Sequence, residues 1–350
     1  MSSTFPYAVG SIALHAALFR SNGSRPVTRT HTVPLLLLIV TLGLAGLTVI
    51  EYPTANASRN STTVAQAAQR PPCPPKATAP ASAHTALQKS QPHFPIRAAF
   101  YYGWGSKSTH YTQTYGVDDP CIHSDAPHRT VSQMRYAQLD AGIASWMGRG
   151  TQGDRRFPSL LRAADGTHFR WALYYEPAHQ TIRQITSDLN YLARHYTKDR
   201  SYLRVSNKPV LFVWAGGSNN CSLTHKWVSA NKKRFYLVLK DFYGYQSCHY
   251  HPSSWHAYGP ASRQLQVGAS SFSISPGFWR NGDARPLLGR STTAWAAAVR
   301  AMVRSKAHWQ LVTTFNEWGE NTAIESASQW RSNSKRGRYL DLLRKYTIGH

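Results

Sequence analysis

The chain is 350 residues long and carries 40 Lys and Arg against 16 Asp and Glu, a formal charge of +24. That excess invites a nucleic-acid reading, but the basic residues are scattered, without a run of five or more or a recognisable DNA-binding motif, so no specific nucleic-acid partner is expected. The length suits one large domain of roughly 250 residues with extensions, or two smaller domains.

Residues 1–32 are polar and basic, with Arg20, Arg25 and Arg29 and no acid. Residues 33–50 (VPLLLLIVTLGLAGLTVI) form an uncharged run of 18, the minimum expected of a bilayer-crossing helix. Three arginines before it and Glu51 directly after orient the N-terminus to the cytoplasm and the remainder outside. A cleaved signal peptide is the competing reading, because Ala55-Asn56-Ala57 has the small-x-small form of a cleavage site. The long leader favours an uncleaved membrane anchor, and either way the body is exported. Residues 51–95, rich in Ala, Pro, Ser, Thr and Gln, read as a partly polyproline-like linker.

From 96 to 350 apolar strand-like runs alternate with helical patterns. Strands are predicted at 98–102, 142–146, 169–176, 209–215, 235–241, 255–258 (weakly), 271–275 and 310–315. Helices are predicted at 131–140, at 182–196 with Ile182, Ile185, Leu189 and Leu192 on one face, at 295–303 and at 338–346. Eight strands alternating with helices over this length predict an α/β fold, a (β/α)8 TIM barrel. A doubly wound open sheet is the alternative, but no Gly-rich phosphate loop opens any helix.

The last strand leads into Phe315-Asn316-Glu317-Trp318-Gly319-Glu320-Asn321-Thr322-Ala323-Ile324-Glu325. The protein has five glutamates, and three of them fall between 317 and 325. This places carboxylates at the C-terminal end of a strand, where α/β barrels hold their chemistry. In a helical turn, Glu317 and Glu320 at i and i+3 would project together, about 5–6 Å apart at Cβ. Two such carboxyls resist ionising together, so one stays an acid while the other serves as a base, the pair that glycoside hydrolysis needs. Trp318 would wall one of them and raise its pKa, and Gly319 would let a sugar approach the backbone. The bland reading is an acidic, solvated turn that caps a helix.

Other polar and aromatic residues gather at the same strand ends: Tyr101, Tyr102 and Trp104, then Trp146, then Tyr174, Tyr175 and Glu176. Trp214, Asp241, His256, Tyr258, Phe278 and Trp279 continue the series. Aromatic rings on a rigid scaffold suit the apolar faces of sugars, although any single ring serves equally as core filler. An apolar strand ending in a carboxylate, as at Glu176, rarely buries it without a partner.

These residues also carry a resemblance. Phe100-Tyr101-Tyr102-Gly103-Trp104, residues 141–148 (AGIASWMG), Tyr174-Tyr175-Glu176, residues 202–210 (YLRVSNKPV), Ser275-Pro276-Gly277-Phe278 and above all residues 315–325 resemble glycoside hydrolase family 99 and its bacterial relatives, the endo-α-1,2-mannosidase type. The resemblance extends from about 96 to the end and implies a (β/α)8 barrel without metal or other cofactor, acting on a glycan or polysaccharide. It implies a retaining reaction in which one carboxylate is general base on the sugar's own 2-hydroxyl, giving a 1,2-anhydro intermediate. By position, Glu317 would be that base and Glu320 the general acid. The candidate substrate-binding residues are Tyr102, Trp104, Trp146, Tyr175, Glu176, Asp241, Tyr258, Asn316 and Trp318. Two departures stand out: Asn321 where the family favours glycine, and Ser326 in place of a usual proline.

The four cysteines suit an oxidising compartment. Cys221 and Cys248 flank the fifth strand and are expected to pair, leaving Cys73 and Cys121. No Cys or His spacing resembles a metal site, and His249 and His251 read as loop surface. Of the net charge, +18 belongs to residues 96–350, from 33 basic and 15 acidic side chains. It suits attraction to anionic envelope polymers or lipid headgroups. Three readings follow: a glycoside hydrolase on α-linked glycans, a non-catalytic carbohydrate-binding barrel at the cell surface, or a basic exported protein that binds anionic polymers. Two glutamates kept together in a Glu-poor chain favour the first.

Overall fold

The computed structural model describes residues 90–114, 126–217 and 219–349. The expected leader, the apolar run 33–50, all of the linker before residue 90, Cys73 and Cys121 lie outside the described residues. Among those described, no helix is long and apolar enough to cross a membrane.

The described elements are β1 (Ile96–Tyr101), α1 (Ala126–Tyr136), β2 (Ala141–Trp146), α2 (Gln152–Ala164), β3 (Arg170–Tyr175) and α3 (Ile182–His195). They continue with β4 (Arg204–Val205), β5 (Lys208–Val213), α4 (Cys221–Asn231), β6 (Tyr236–Lys240), β7 (Ser254–His256) and β8 (Gln264–Val267). β9 (Ser271–Ile274), α5 (Thr292–Ser305), β10 (Trp309–Val312) and α6 (Arg338–Thr347) complete the series. The strands form one sheet in the order β7-β6-β5-β3-β2-β1-β10-β9-β8, with β4 paired to β5. Every pairing is parallel except β4 with β5 and β8 with β9. β1 pairs with β10, so first and last strands meet. Between β7 and β9 the sheet is drawn together by side chains: the Ser273 hydroxyl donates to the Ala257 carbonyl at 2.7 Å, and Ser275 to the Pro260 carbonyl at 2.7 Å. The result is a nearly closed, mostly parallel α/β barrel.

All eight expected strands are present, each end within three residues of expectation. The differences have local causes. β4 and β8 are two- and four-residue antiparallel additions, too short and too exposed to show a strand pattern. α2 was not foreseen because Pro158 lies inside it; Thr151 caps it, and its buried face is Phe157, Leu160, Leu161 and Ala164. α4 was not foreseen either, its apolar positions being weakly periodic; Asn220 caps it, accepting from the Leu223 N–H at 2.9 Å. No α-helix stands between β6 and β7, only a short 3-10 turn.

Strand parity decides what reaches the site. Ile96, Ala98, Phe100 and Tyr102 follow one another on one side of β1 and its end, joined by Ala172 and Tyr174 of β3, Phe212 of β5 and Leu311 of β10, and together these fill the barrel interior. The opposite parity, Trp171, Leu173 and Tyr175, packs outward with Ile185, Leu189 and Leu192 of α3. Thr181 and Gln184 form a capping box at the start of that helix. Asp154 of α2 fastens the outer layer, accepting from the Trp146 indole at 2.7 Å and from the hydroxyls of Tyr191 and Tyr196 at 2.8 and 2.6 Å. Burial alone would raise its pKa, but these donors and the Gly150 N–H outweigh it and lower it. Cys221 and Cys248 are bridged, as expected, tying the start of α4 to the connection between β6 and β7.

Candidate active site

The barrel mouth collects residues that follow β1, β3, β7 and β10. Tyr258, after β7, is half-buried, with its phenol pushed well above its ordinary pKa first by burial and then by the charges of Glu320, Glu176 and Glu317. Three glutamates from two separate strand ends therefore share its neighbourhood. Tyr102 joins them, its hydroxyl 2.6 Å from that of Tyr258.

Each carboxyl has a different environment. Glu317, 6% exposed, accepts from the Trp104 indole N–H at 3.0 Å, the Ser106 hydroxyl at 3.0 Å and the Gly319 backbone N–H at 2.9 Å. Burial raises its pKa and these donors pull it back, because all of them favour the ionised form. Gly319 is needed for this arrangement, since a Cβ at that position would sit 2.9 Å from Glu317 Oε1. Glu320 has a buried Oε2 with no hydrogen-bond partner among the described residues. Burial first, and the neighbouring Glu317 second, push its carboxyl up to about 7, with Arg280 opposing. Glu176 likewise has an unpartnered buried oxygen, Oε1, and burial pushes it up to about 8; the Ser145 side chain opposes this, and Glu317 and Glu320 add to it. Glu317 is thus the carboxyl whose partners favour the ionised form, while burial and mutual repulsion push Glu320 and Glu176 toward the protonated form.

The backbone around the pair is held by neighbours. Asn316 accepts from the Tyr102 N–H and donates to the Tyr102 carbonyl, each at 2.8 Å, locking the ends of β1 and β10 together. The Thr314 hydroxyl accepts from the Glu317 N–H at 2.9 Å. Glu317–Glu320 is a turn rather than a helix, so the i, i+3 helical expectation does not hold as stated, although both carboxyls still meet at the mouth.

Four of the expected binding residues take other places. Trp146 is fully buried with its indole committed to Asp154, and it packs 5.1 Å from Tyr175 on the helix side of the sheet. Tyr175 also faces the helices, donating to Asp188 at 2.8 Å and packing 4.8 Å from Trp227. Trp318 does not wall the glutamates. It is 1% exposed, donates to Glu325 at 3.1 Å and stacks with Trp330 at 5.9 Å. Asn316 is spent on the Tyr102 backbone. Asp241, at the end of β6, has its pKa raised by burial, with Lys240 opposing. Tyr102, Trp104, Glu176 and Tyr258 are at the mouth. Ser106 was not foreseen, as a single loop serine carries no sequence signal. Tyr174, rather than Tyr175, faces the barrel interior, its ring 5.6 Å from that of Tyr258.

No known family model matches the chain, and no curated protein does. Solved structures do. A GH99 endo-alpha-mannosidase from Bacteroides thetaiotaomicron, in complex with BIS-TRIS-propane, superposes with a TM-score of 0.56 at 15% identity, covering 73% of this chain and 98% of that one. A further structure of the GH99 endo-alpha-mannosidase from Bacteroides thetaiotaomicron gives 0.54 at 14% identity, over 73% and 96%. A glycoside hydrolase-like protein gives 0.52 at 10% identity, over 74% and 94%. At such identities the likeness is one of fold: the described residues share the barrel fold of these structures.

Proposed function

We propose that this chain is an exported glycoside hydrolase that cleaves α-linked, mannose-rich glycans with retention, using the substrate's own 2-hydroxyl as nucleophile. The observation that carries the reading is the contrast inside one buried pair, Glu317 with three donors and Glu320 with an unpartnered oxygen and a pKa near 7. The superposed fold and the motif at 315–325 support the choice of sugar and linkage, and the Cys221–Cys248 bridge supports an oxidising compartment.

In this reading Glu317 takes the proton of the 2-hydroxyl as O2 attacks the anomeric carbon. Glu320 gives its proton to the departing glycosidic oxygen as that bond breaks, and a 1,2-anhydro sugar forms. Glu320, now a carboxylate, deprotonates a water that opens the ring at the anomeric carbon, and O2 recovers its proton from Glu317. Two inversions give retention. Tyr102, Tyr258 and protonated Glu176 are placed to hold the sugar, Glu176 as a donor.

A panel of α-mannans and α-glucans tests the substrate. Glu317→Gln and Glu320→Gln are each expected to lower hydrolysis at least ~100-fold, the lower end for loss of a positioned proton-transfer group. An activated aryl glycoside needs little protonation, so Glu320→Gln should harm it less than a natural glycan, whereas Glu317→Gln should harm both alike. Near-full activity in both variants overturns the assignment. A parent that binds glycans but cleaves none makes the chain a binding barrel.

A further inference from the structure

Asn321, directly after Glu320, has a positive φ of 54°, a conformation that glycine takes at least cost. An asparagine there is tolerated, and its side chain is fully employed. Its Oδ1 accepts from the Ser108 hydroxyl, and its Nδ2 donates to the Trp279 carbonyl at 2.5 Å and to Asn281 Oδ1 at 3.2 Å. Asn281 in turn accepts from the Thr109 N–H at 3.0 Å and hydroxyl at 3.1 Å, and donates to the Lys107 carbonyl at 2.7 Å.

Two backbone bonds lie alongside. The Trp279 N–H donates to the Glu320 carbonyl and the Asn281 N–H to the Gly319 carbonyl, both at 2.9 Å. Three loops, after β1, β9 and β10, are thus fastened at the residue that follows Glu320. From the other side, Arg290 donates to the carbonyls of Asn321 and Ala323 at 2.9 and 2.5 Å. Its guanidinium is caged by Trp330, Tyr339 and Tyr111 at 4.2, 4.8 and 5.2 Å.

We infer that Asn321 is a positioning residue for Glu320: its amide clamps the loops after β1 and β9 onto the turn that bears the acid and so fixes where the proton is delivered. This rests on the reading of Glu320 as general acid. A displacement of about 1 Å at a reacting group costs up to ~100-fold, so loss of the clamp should be read in the step that needs the proton.

The test is Asn321→Gly, which keeps the backbone conformation and removes the amide. On the natural glycan that the parent cleaves, kcat should fall ~10–100-fold with KM changed by less than ~3-fold. On the dinitrophenyl glycoside of the same sugar the loss should be smaller by at least ~5-fold, because that leaving group needs little protonation. Loss equal on both substrates, or confined to KM, overturns the inference while Glu320→Gln still separates them; if Glu320→Gln does not separate them, the acid assignment itself fails. A reading without substrate is also available. With five glutamates in the chain, carbon-13 labelling of glutamate lets the Glu320 carboxyl be titrated directly. Asn321→Gly should move its midpoint downward as the loosened loops admit water, and an unchanged midpoint counts against the clamp.

Discussion

The donors around Glu317 make a prediction that can be worked through. Trp104→Phe keeps a ring beside Tyr102, now 4.6 Å away, and removes the indole N–H that reaches Glu317 Oε2 at 3.0 Å. A hydrogen bond to a charged group contributes ~1.5–3 kcal/mol. Trp104 is 39% exposed, so the lower end applies, about 1.5 kcal/mol, or roughly a factor of ten. The bond favours the ionised carboxylate and its loss favours the proton, so the base is protonated over a wider acidic range. The acidic limb of kcat/KM should therefore move up by about one pH unit, with less than about a two-fold change on the plateau and the basic limb in place. Because Glu317 and Glu320 interact, the limbs belong to the pair, and it is the displacement between parent and variant that carries the information. Full pH–rate profiles on one glycan measure it. A uniform loss at every pH, with both limbs unmoved, would refute the reasoning and make the indole a sugar contact.

Two further outcomes are expected. The basic limb should fall with a midpoint near 7, because Glu320, pushed up to about 7 by burial and Glu317, must be protonated to serve as the proposed acid; activity that rises through pH 8, read from released reducing ends, contradicts this. Reduction of the Cys221–Cys248 bridge, or replacement of both by serine, should lower stability by about 3 kcal/mol in the chain-entropy view for a loop of this span, read from urea midpoints at unchanged slope; equal midpoints would mean the loop is already ordered in the unfolded chain.

Much of the fold is written plainly in the sequence, and the reason is the barrel itself. Parallel strands are buried on both faces and appear as short apolar runs, so all eight could be placed. The same property hides parity. On β3, Trp171, Leu173 and Tyr175 look as apolar as Ala172 and Tyr174, and only packing shows that the second set faces the barrel interior. Glu176 shares parity with Tyr174, which is why it reaches the mouth while Tyr175 turns to Asp188. On β2 the same parity turns Trp146 to Asp154 on the helix side. The carboxylate pair was legible because glutamate is rare in this chain. What made Glu317 and Glu320 different from each other was not, because Ser106 and Trp104 lie more than 200 residues away in sequence and meet Glu317 only through the pairing of β1 with β10.

The turn at 316–321 shows how a pair spaced i, i+3 is held without a helix. Residues of the site alternate with residues of the scaffold. Asn316 is bonded to the Tyr102 backbone, Trp318 to Glu325, and Asn321 to Ser108 and the Trp279 carbonyl. Glu317 and Glu320 stand between these anchors with their carboxyls free to face the mouth. A helix would fix the same spacing with its own backbone bonds, but it would also place Trp318 a third of a turn from Glu317, on the exposed side. Here the tryptophan is in the core, where the Glu325 carboxyl accepts from its indole and from Gln113 at 2.8 Å. Glu325 is 4% exposed, so its two donors offset a burial cost that would otherwise fall on the turn. The third glutamate of the cluster is thus structural, and it holds the tryptophan that lies in sequence between Glu317 and Glu320.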